Sequence, residues 1–115
     1  MLHLVYRFKL TPRARADLAA FWQWVRERQT WFYTGLDTVR QTRWYVVTIG
    51  PDVHAIEHWV SFADEAAWGT YRRQVAEQSR QPAWERRRAS QDEWWEMLDA
   101  RLLSDAPGPI DNIGR

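Results

Sequence analysis

The spacing of apolar residues predicts a strand and then a helix at the start of the chain. Apolar and aromatic residues alternate with more polar ones from Leu2 to Leu10, which gives a strand with one apolar face. Thr11-Pro12 then ends the strand and opens a helix, because proline suits the first helical turn. That helix ends near Gly35. Its apolar positions recur at helical spacing and are Leu18, Phe21, Trp22, Val25 and Phe32.

The middle of the chain predicts a β-hairpin followed by a second helix. Thr38–Ile49 is rich in β-branched and aromatic residues, which favour a strand. Gly50-Pro51-Asp52 forms the turn to a third strand, His54–Phe62. The hydrophobic period then changes from two to 3.6, and Asp64 caps a helix that runs to about Ser79.

The C-terminal part predicts a short helix and one more element. Gln81-Pro82 interrupts the second helix, and Ala83–Ala89 forms a further short turn of helix. Trp94–Leu103 either prolongs the helix or forms a fourth strand, and the open position in the sheet favours the strand. We therefore predict one domain over residues 1–105 and a tail over residues 106–115.

The predicted order of elements is β-α-β-β-α-β, which is the ferredoxin-like pattern of the α+β class. In this topology the first and third strands lie side by side at the centre of an antiparallel sheet, and both helices cover one face. The other face is left bare, and a bare face that carries aromatic rings needs a partner. The pattern therefore predicts a homodimer that pairs through this face of the sheet.

Composition narrows the possible partners and locations. Sixteen basic and fifteen acidic side chains give a net charge of +1, which does not favour nucleic acid or an acidic membrane surface. The absence of cysteine excludes disulfides and thiolate chemistry, and no apolar run reaches membrane-spanning length. We predict a soluble, cytoplasmic protein. Nine tryptophans in 115 residues predict a ligand pocket or a subunit interface in addition to the core.

Four short segments resemble the dimeric α/β barrel proteins, and in particular NIPSNAP-like proteins and antibiotic-biosynthesis-monooxygenase-like domains. They are KLTP at Lys9–Pro12, EHWVSFADEAAW at Glu57–Trp68, QPAW at Gln81–Trp84 and LLSDAPGPI at Leu102–Ile110. The resemblance covers nearly the whole chain in order, and it implies a ferredoxin-like domain that dimerises into an α/β barrel. It also implies a ligand cavity between sheet and helices, which Trp22, Trp68 and Tyr71 would face.

The string His54-Ala-Ile-Glu-His58 matches the H-x-x-E-H pattern of inverted zinc peptidases. That chemistry needs both histidines one turn apart on a helix. In a strand, at roughly 3.3 Å per residue, the two imidazoles lie about 13 Å apart and cannot share one ion. The sequence therefore predicts no metal site.

His58 and Tyr6 are the candidate catalytic residues. They occupy matching positions on the apolar faces of neighbouring strands, together with Phe8 as a ligand contact. Two polar groups on an apolar face beneath helices are typical of a small-molecule pocket, and an imidazole there can act as acid or base. The alternative is a buried core histidine that hydrogen-bonds to a backbone carbonyl or to Tyr6.

The resemblance also indicates whether a haem cofactor is expected. Haem-degrading relatives place a tryptophan early in the second helix and a haem-ligating histidine about three turns later. Trp68 matches the tryptophan, but Gln78, Ser79 and Arg80 occupy the region of the histidine. Haem is therefore disfavoured, and the chain has no glycine-rich phosphate loop or metal-ligand cluster. We predict no cofactor.

Two functions remain open on the sequence. The first is a cofactor-independent oxygenase or cyclase-type enzyme that acts on an aromatic or polyketide-like substrate. The second is a non-catalytic NIPSNAP-type ligand-binding or interaction domain. A cavity that reaches solvent at His58 favours the first, and a core closed by Trp22, Trp68 and Trp95 favours the second.

On the opposite face of the sheet, the sequence predicts an ion pair between Arg7 and Glu57.

Overall fold

The computed structural model describes residues 1–108 and 110 as an antiparallel sheet with helices packed against one face. The strands are β1 (Leu2–Leu10), β2 (Gln41–Val46), β3 (Ile56–Phe62) and β4 (Trp95–Ser104), in the order β2-β3-β1-β4. The helices are α1 (Pro12–Ala16), α2 (Leu18–Phe32), α3 (Glu65–Gln78) and α4 (Pro82–Ala89). The predicted α+β, ferredoxin-like class is therefore confirmed. The predicted tail lies partly outside the described residues, at 109 and 111–115.

The first helix predicted from the sequence is in fact two helices, α1 and α2. Asp17 separates them, because its backbone is not helical and its side chain accepts a hydrogen bond from the Ala20 N–H at 3.0 Å. Aspartate competes for backbone donors in this way, so it caps a new helix instead of continuing the old one. The Thr11 side chain caps α1 in the same manner.

The hairpin strands are shorter than predicted. The second strand is limited to Gln41–Val46, and the third begins at Ile56 instead of His54. His54 has a φ of 75°, in the left-handed region that a strand does not allow. Its N–H donates instead to the Val47 carbonyl at 2.8 Å inside the connecting loop. The prediction that the third strand begins at His54 is therefore wrong.

The fourth strand confirms the strand interpretation of Trp94–Leu103. It pairs with β1, and its register shifts between Arg7 and Phe8, so that Phe8 faces Met97 and Leu98 has no partner in the register. The shift is a β-bulge, which bends the strand locally. As a result, Trp95 reaches the core and its ring stacks on Phe8 with 4.0 Å between centroids.

The core between sheet and helices has two parts. One contains Phe8, Leu10, Ala14, Phe21, Val25, Ile56 and Trp95. The other contains Phe32, Leu36, Val60, Phe62 and Tyr71. Tyr6 packs against both parts, so the centre of β1 lies where they meet.

The opposite face of the sheet is polar and carries a different ion pair from the predicted one. Arg7 and Glu57 are register partners, but the Arg7 guanidinium binds Asp99 through Nε and Nη2, at 3.0 and 2.8 Å from Oδ2. It also lies 3.3 Å from Asp52. Asp99, the register partner of Arg7 on β4, accepts from two nitrogens of the guanidinium. Glu57 instead accepts a hydrogen bond from the Trp59 indole at 2.8 Å.

The helices can be compared with the length and apolar composition that a membrane-spanning helix needs. Within residues 1–108 and 110, no helix has both the length and the apolar composition that crossing a bilayer requires.

A candidate small-molecule cavity between the sheet and the helices

A cavity of about 370 Å³ opens to solvent between the helix-covered face of the sheet and the helices. Its size falls at the lower end of the range of small-molecule sites, which suits a molecule of one or two rings. The residues that line it are Tyr6, Phe8, Arg28, Phe32, Tyr71, Arg72, Val75, Ala76, Arg88, Gln91 and Met97.

The sheet supplies an aromatic floor. Tyr6 and Phe8 are alternate residues of β1, so both point to the helix side, and their rings stack at 5.8 Å. Met97 faces Phe8 from β4 across the bulge. Trp95 stacks on Phe8 at 4.0 Å, and Tyr6 is stacked with His58 at 6.5 Å. The faces of both rings are therefore covered, and the floor presents ring edges to the cavity.

Helix α2 places a buried arginine at the wall of the cavity. Arg28 is only 6% exposed. Its guanidinium carbon lies 3.9 Å from the centroid of the Phe32 ring and 5.3 Å from that of Trp95. Its Nε and Nη1 atoms have no hydrogen-bond partner in the part of the chain that the structure describes. A buried polar group is normally hydrogen-bonded, so these donors are exceptional.

Two tyrosine hydroxyls complete the polar part of the cavity. Burial raises the pKa of Tyr6, and it raises the pKa of Tyr71 further. Desolvation disfavours the phenolate, so both hydroxyls stay protonated near neutral pH and can donate hydrogen bonds. The two hydroxyls also lie within hydrogen-bonding reach of each other, so the pair offers at least one neutral donor beside a cation.

The charges of the lining residues all have one sign. Arg28, Arg72 and Arg88 line the cavity, and none of the described lining residues carries a carboxylate. Arg88 is paired with Glu85 of its own helix, at 2.9 Å from Nε to Oε2, and the Arg72 guanidinium lies 5.1 Å from the Trp68 ring centroid. Among the described residues, Arg28 and Arg72 form no ion pair, so the unpaired charge of the lining is positive.

His58 lies behind the cavity and does not line it. It is 1% exposed, and both of its ring nitrogens are engaged. Nδ1 lies 2.9 Å from the Arg43 carbonyl, which can only accept, so Nδ1 carries the proton. Nε2 therefore accepts from the Tyr33 hydroxyl at 2.6 Å. The Trp44 ring stacks on the imidazole at 3.6 Å and seals it from solvent.

The protonation states follow from this closed environment. Burial lowers the pKa of His58 from 6.5 to about 3, against the raising effect of the Arg43 carbonyl. Burial likewise raises the pKa of Tyr33 to about 12, although the charge of Arg28 opposes the shift. His58 is therefore neutral at physiological pH. This environment matches the alternative that the sequence left open, a buried core histidine that hydrogen-bonds to a backbone carbonyl.

The structure brings three of the six predicted site residues together in the cavity, namely Tyr6, Phe8 and Tyr71. Trp22 lies at a separate surface depression of about 310 Å³, beside β2. Trp68 packs against the core part that contains Phe62 and is not among the described lining residues.

Sequence reasoning missed Arg28 and Tyr33. A signal for Arg28 existed, because it falls between Val25 and Phe32 at the three- and four-residue spacing of the apolar stripe on α2. If the apolar stripe packs against the core, an arginine within it is buried as well, unless the helix rotates so that this position faces solvent. Tyr33 is the residue that follows the last turn of α2, and its sequence context gives no comparable signal.

Several solved structures share this fold. HapK from Hahella chejuensis aligns with a TM-score of 0.62 and 16% identity over 95% of this chain and 96% of that chain. An uncharacterized NIPSNAP domain protein from Burkholderia xenovorans aligns with a TM-score of 0.65 and 13% identity over 96% and 100%. An antibiotic biosynthesis monooxygenase aligns with a TM-score of 0.51 and 13% identity over 94% and 100%.

These likenesses confirm the predicted resemblance to the NIPSNAP and antibiotic-biosynthesis-monooxygenase fold. At such identities they establish the fold of this chain and leave its activity open. No protein-family model matches the sequence, and a search of curated proteins found no match.

Proposed function

We propose that this protein binds an aromatic or polyketide-like small molecule in the cavity between sheet and helices. The observation that carries the proposal is the cavity itself, which is open to solvent and combines a stacked aromatic floor with buried phenol hydroxyls. An aromatic ligand packs against the ring edges of Tyr6 and Phe8, and one of its oxygen atoms accepts a hydrogen bond from the Tyr6 hydroxyl. The binding requires no cofactor.

Within this proposal, Tyr6 is the group that touches the ligand, and His58 has a positioning role. His58 holds the Tyr33 hydroxyl at 2.6 Å and so fixes the end of α2, which carries Arg28 five residues earlier. Tyr6 donates to a ligand oxygen and polarises it, which is the contribution that a neutral phenol makes to cofactor-independent chemistry.

The second candidate is a NIPSNAP-type domain that binds a ligand without transforming it. The observation that favours it is the closure of His58, because the acid–base group on which the enzymatic interpretation depended is out of contact with the cavity. The two candidates share the ligand site. They are distinguished by whether a bound ligand is released unchanged.

Filling the cavity is expected to weaken ligand binding by about tenfold or more, a change of about 1.4 kcal/mol. Ala76 lines the cavity from α3, so Ala76→Trp places an indole where the ligand would lie. Saturation-transfer NMR with a library of aromatic fragments identifies binders, and calorimetry then compares the variants. The matched control is Ala66→Trp, which changes an exposed alanine of the same helix outside the cavity. Equal affinity of Ala76→Trp and the unmodified protein would contradict the proposal.

We also propose a homodimer that forms through the uncovered face of the sheet. This face carries Trp59 and Tyr45, whose rings lie 6.2 Å apart, and Tyr45 is 44% exposed. Light scattering at micromolar concentration should report twice the 13.8 kDa chain mass. Tyr45→Glu should shift the protein to monomer, whereas Leu18→Glu on the helical side should not. A monomer in the unmodified protein would exclude the dimer.

A further inference from the structure

The arrangement around Arg28 points to the chemical class of the ligand. A buried guanidinium with nitrogens that lack acceptors is unfavourable, because it loses its hydration without a full replacement. The structure shows such a group at the wall of an open cavity. We propose that the cavity binds an aromatic carboxylate whose negative charge pairs with Arg28. This inference rests on the proposed small-molecule site and names the ligand that the site selects.

Aromatic contacts alone do not account for Arg28. The face of Phe32, 3.9 Å from the guanidinium carbon, attracts the cation electrostatically. A ring face does not accept the in-plane N–H groups, however, and Nε and Nη1 remain without acceptors among the described residues. Nε and Nη1 are themselves enclosed by protein, so a ligand meets Arg28 at the part of the side chain that lines the cavity. A carboxylate there accepts hydrogen bonds from the guanidinium and supplies the compensating charge.

The surroundings of Arg28 fit an anion better than a neutral ligand. Arg72 adds positive charge to the same cavity, whereas the charge of Arg88 is compensated by Glu85. Tyr6 and Tyr71 are hydroxyl donors without charge, so they can share a carboxylate with Arg28 and do not repel it. Apart from Gln91 and the paired Arg88, the described polar lining groups are therefore donors suited to an anion.

The position of Arg28 relative to the aromatic floor indicates what the ligand carries besides its carboxylate. Phe32 packs against the guanidinium, and the floor of Tyr6 and Phe8 faces the helices across the cavity. A planar acid of one or two rings packs against the edges of these rings while its carboxylate meets Arg28. Aromatic pairs gain from edge-to-face contact beyond the area they bury, so the lining favours an aromatic acid over an aliphatic one.

The test compares two probes of the same shape, 2-naphthoate and its neutral amide, 2-naphthamide. Calorimetry and NMR titrations should show that the unmodified protein binds 2-naphthoate about tenfold or more tightly than the amide. Added NaCl should weaken binding of the acid and leave that of the amide unchanged. Arg28→Met should abolish the preference, and Arg28→Lys should retain part of it. Arg26→Met, which removes an exposed arginine of the same helix, is the matched control.

The outcomes separate this inference from the proposed function. If both probes bind the unmodified protein equally and at the cavity, the assignment of an anion to Arg28 is wrong and the small-molecule site stands. If neither probe perturbs the NMR signals of cavity residues at millimolar concentration, both proposals fail. Loss of the acid preference in the Arg26→Met control would also overturn the assignment, because it would place the anion outside the cavity.

Discussion

Replacing His58 with alanine is expected to lower the free energy of unfolding by roughly 2–4 kcal/mol. The imidazole is 1% exposed and fills the space between Trp44 and Tyr6, so its removal leaves a cavity. The change also leaves the Tyr33 hydroxyl and the Arg43 carbonyl without their partner. Urea denaturation of the two proteins at neutral pH measures the difference, which is a large part of the stability of a small domain.

Two further variants show where the loss comes from. Tyr33→Phe removes one hydrogen bond and little volume, so it should cost about 1 kcal/mol. His54→Asn should cost little, because His54 is exposed and asparagine tolerates its left-handed backbone. A loss below about 0.5 kcal/mol for His58→Ala would mean that water reaches the imidazole, and the closed network would be refuted.

The dependence of stability on pH provides an independent check on the same histidine. The pKa of His58 is about 3 in the folded protein and near 6.5 in the unfolded chain. As the pH falls below 6.5, the unfolded state takes up the proton and the folded state does not. Stability therefore falls from pH 6.5 towards pH 3, by up to about 1.4 kcal/mol per pH unit. His58→Ala lacks this contribution, so parallel profiles of the two proteins between pH 6.5 and 5 would contradict it.

The arrangement of strands and helices was predictable because it depends on local periodicity. Alternation over Leu2–Leu10 and the change of period at Asp64 each reflect which side of an element faces the core. The pairing of Tyr6 with His58 also followed, since the topology puts β1 beside β3 and the apolar alternation sets the register. This part of the fold needs no knowledge of the tertiary contacts.

The candidate site was only partly predictable because its geometry is not local. Alternation predicts a strand at His54, but the residue lies in the loop before β3 and has a left-handed backbone. Trp22 is the neighbour of Phe21 on α2, and the rotation of about 100° per residue carries it away from the cavity. The hydrogen bond from Tyr33 to His58 joins the end of a helix to the middle of the sheet, and no short pattern encodes that distance.

Arg28 shows a further reason for the incomplete prediction. A charged residue within an apolar stripe is normally interpreted as a solvent-facing exception, because charged side chains are rarely buried without a partner. Here the residue is buried, and its Nε and Nη1 donors have no acceptor among the described residues. Such a conflict between residue type and environment is expected where function, and not stability, determines the residue.

Replacing Arg28 with methionine is therefore expected to raise the free energy of unfolding of the ligand-free protein by about 1–3 kcal/mol. The loss of the cation–π contact with Phe32 costs roughly 0.5–2 kcal/mol. Relief of a buried charge with unsatisfied donors gains several kcal/mol, so the gain exceeds the loss. Methionine is flexible and of similar length, which lets it fill the same space.

Urea denaturation without ligand tests this expectation, with Arg26→Met as the control that should change stability by less than about 0.5 kcal/mol. Lower stability of Arg28→Met would show that the guanidinium already has its partners in the ligand-free protein. Higher stability combined with loss of 2-naphthoate binding would mean that the chain keeps a destabilising arginine because the bound anion compensates for it. In that case the stability of the unmodified protein should rise when 2-naphthoate is added, whereas that of Arg28→Met should not.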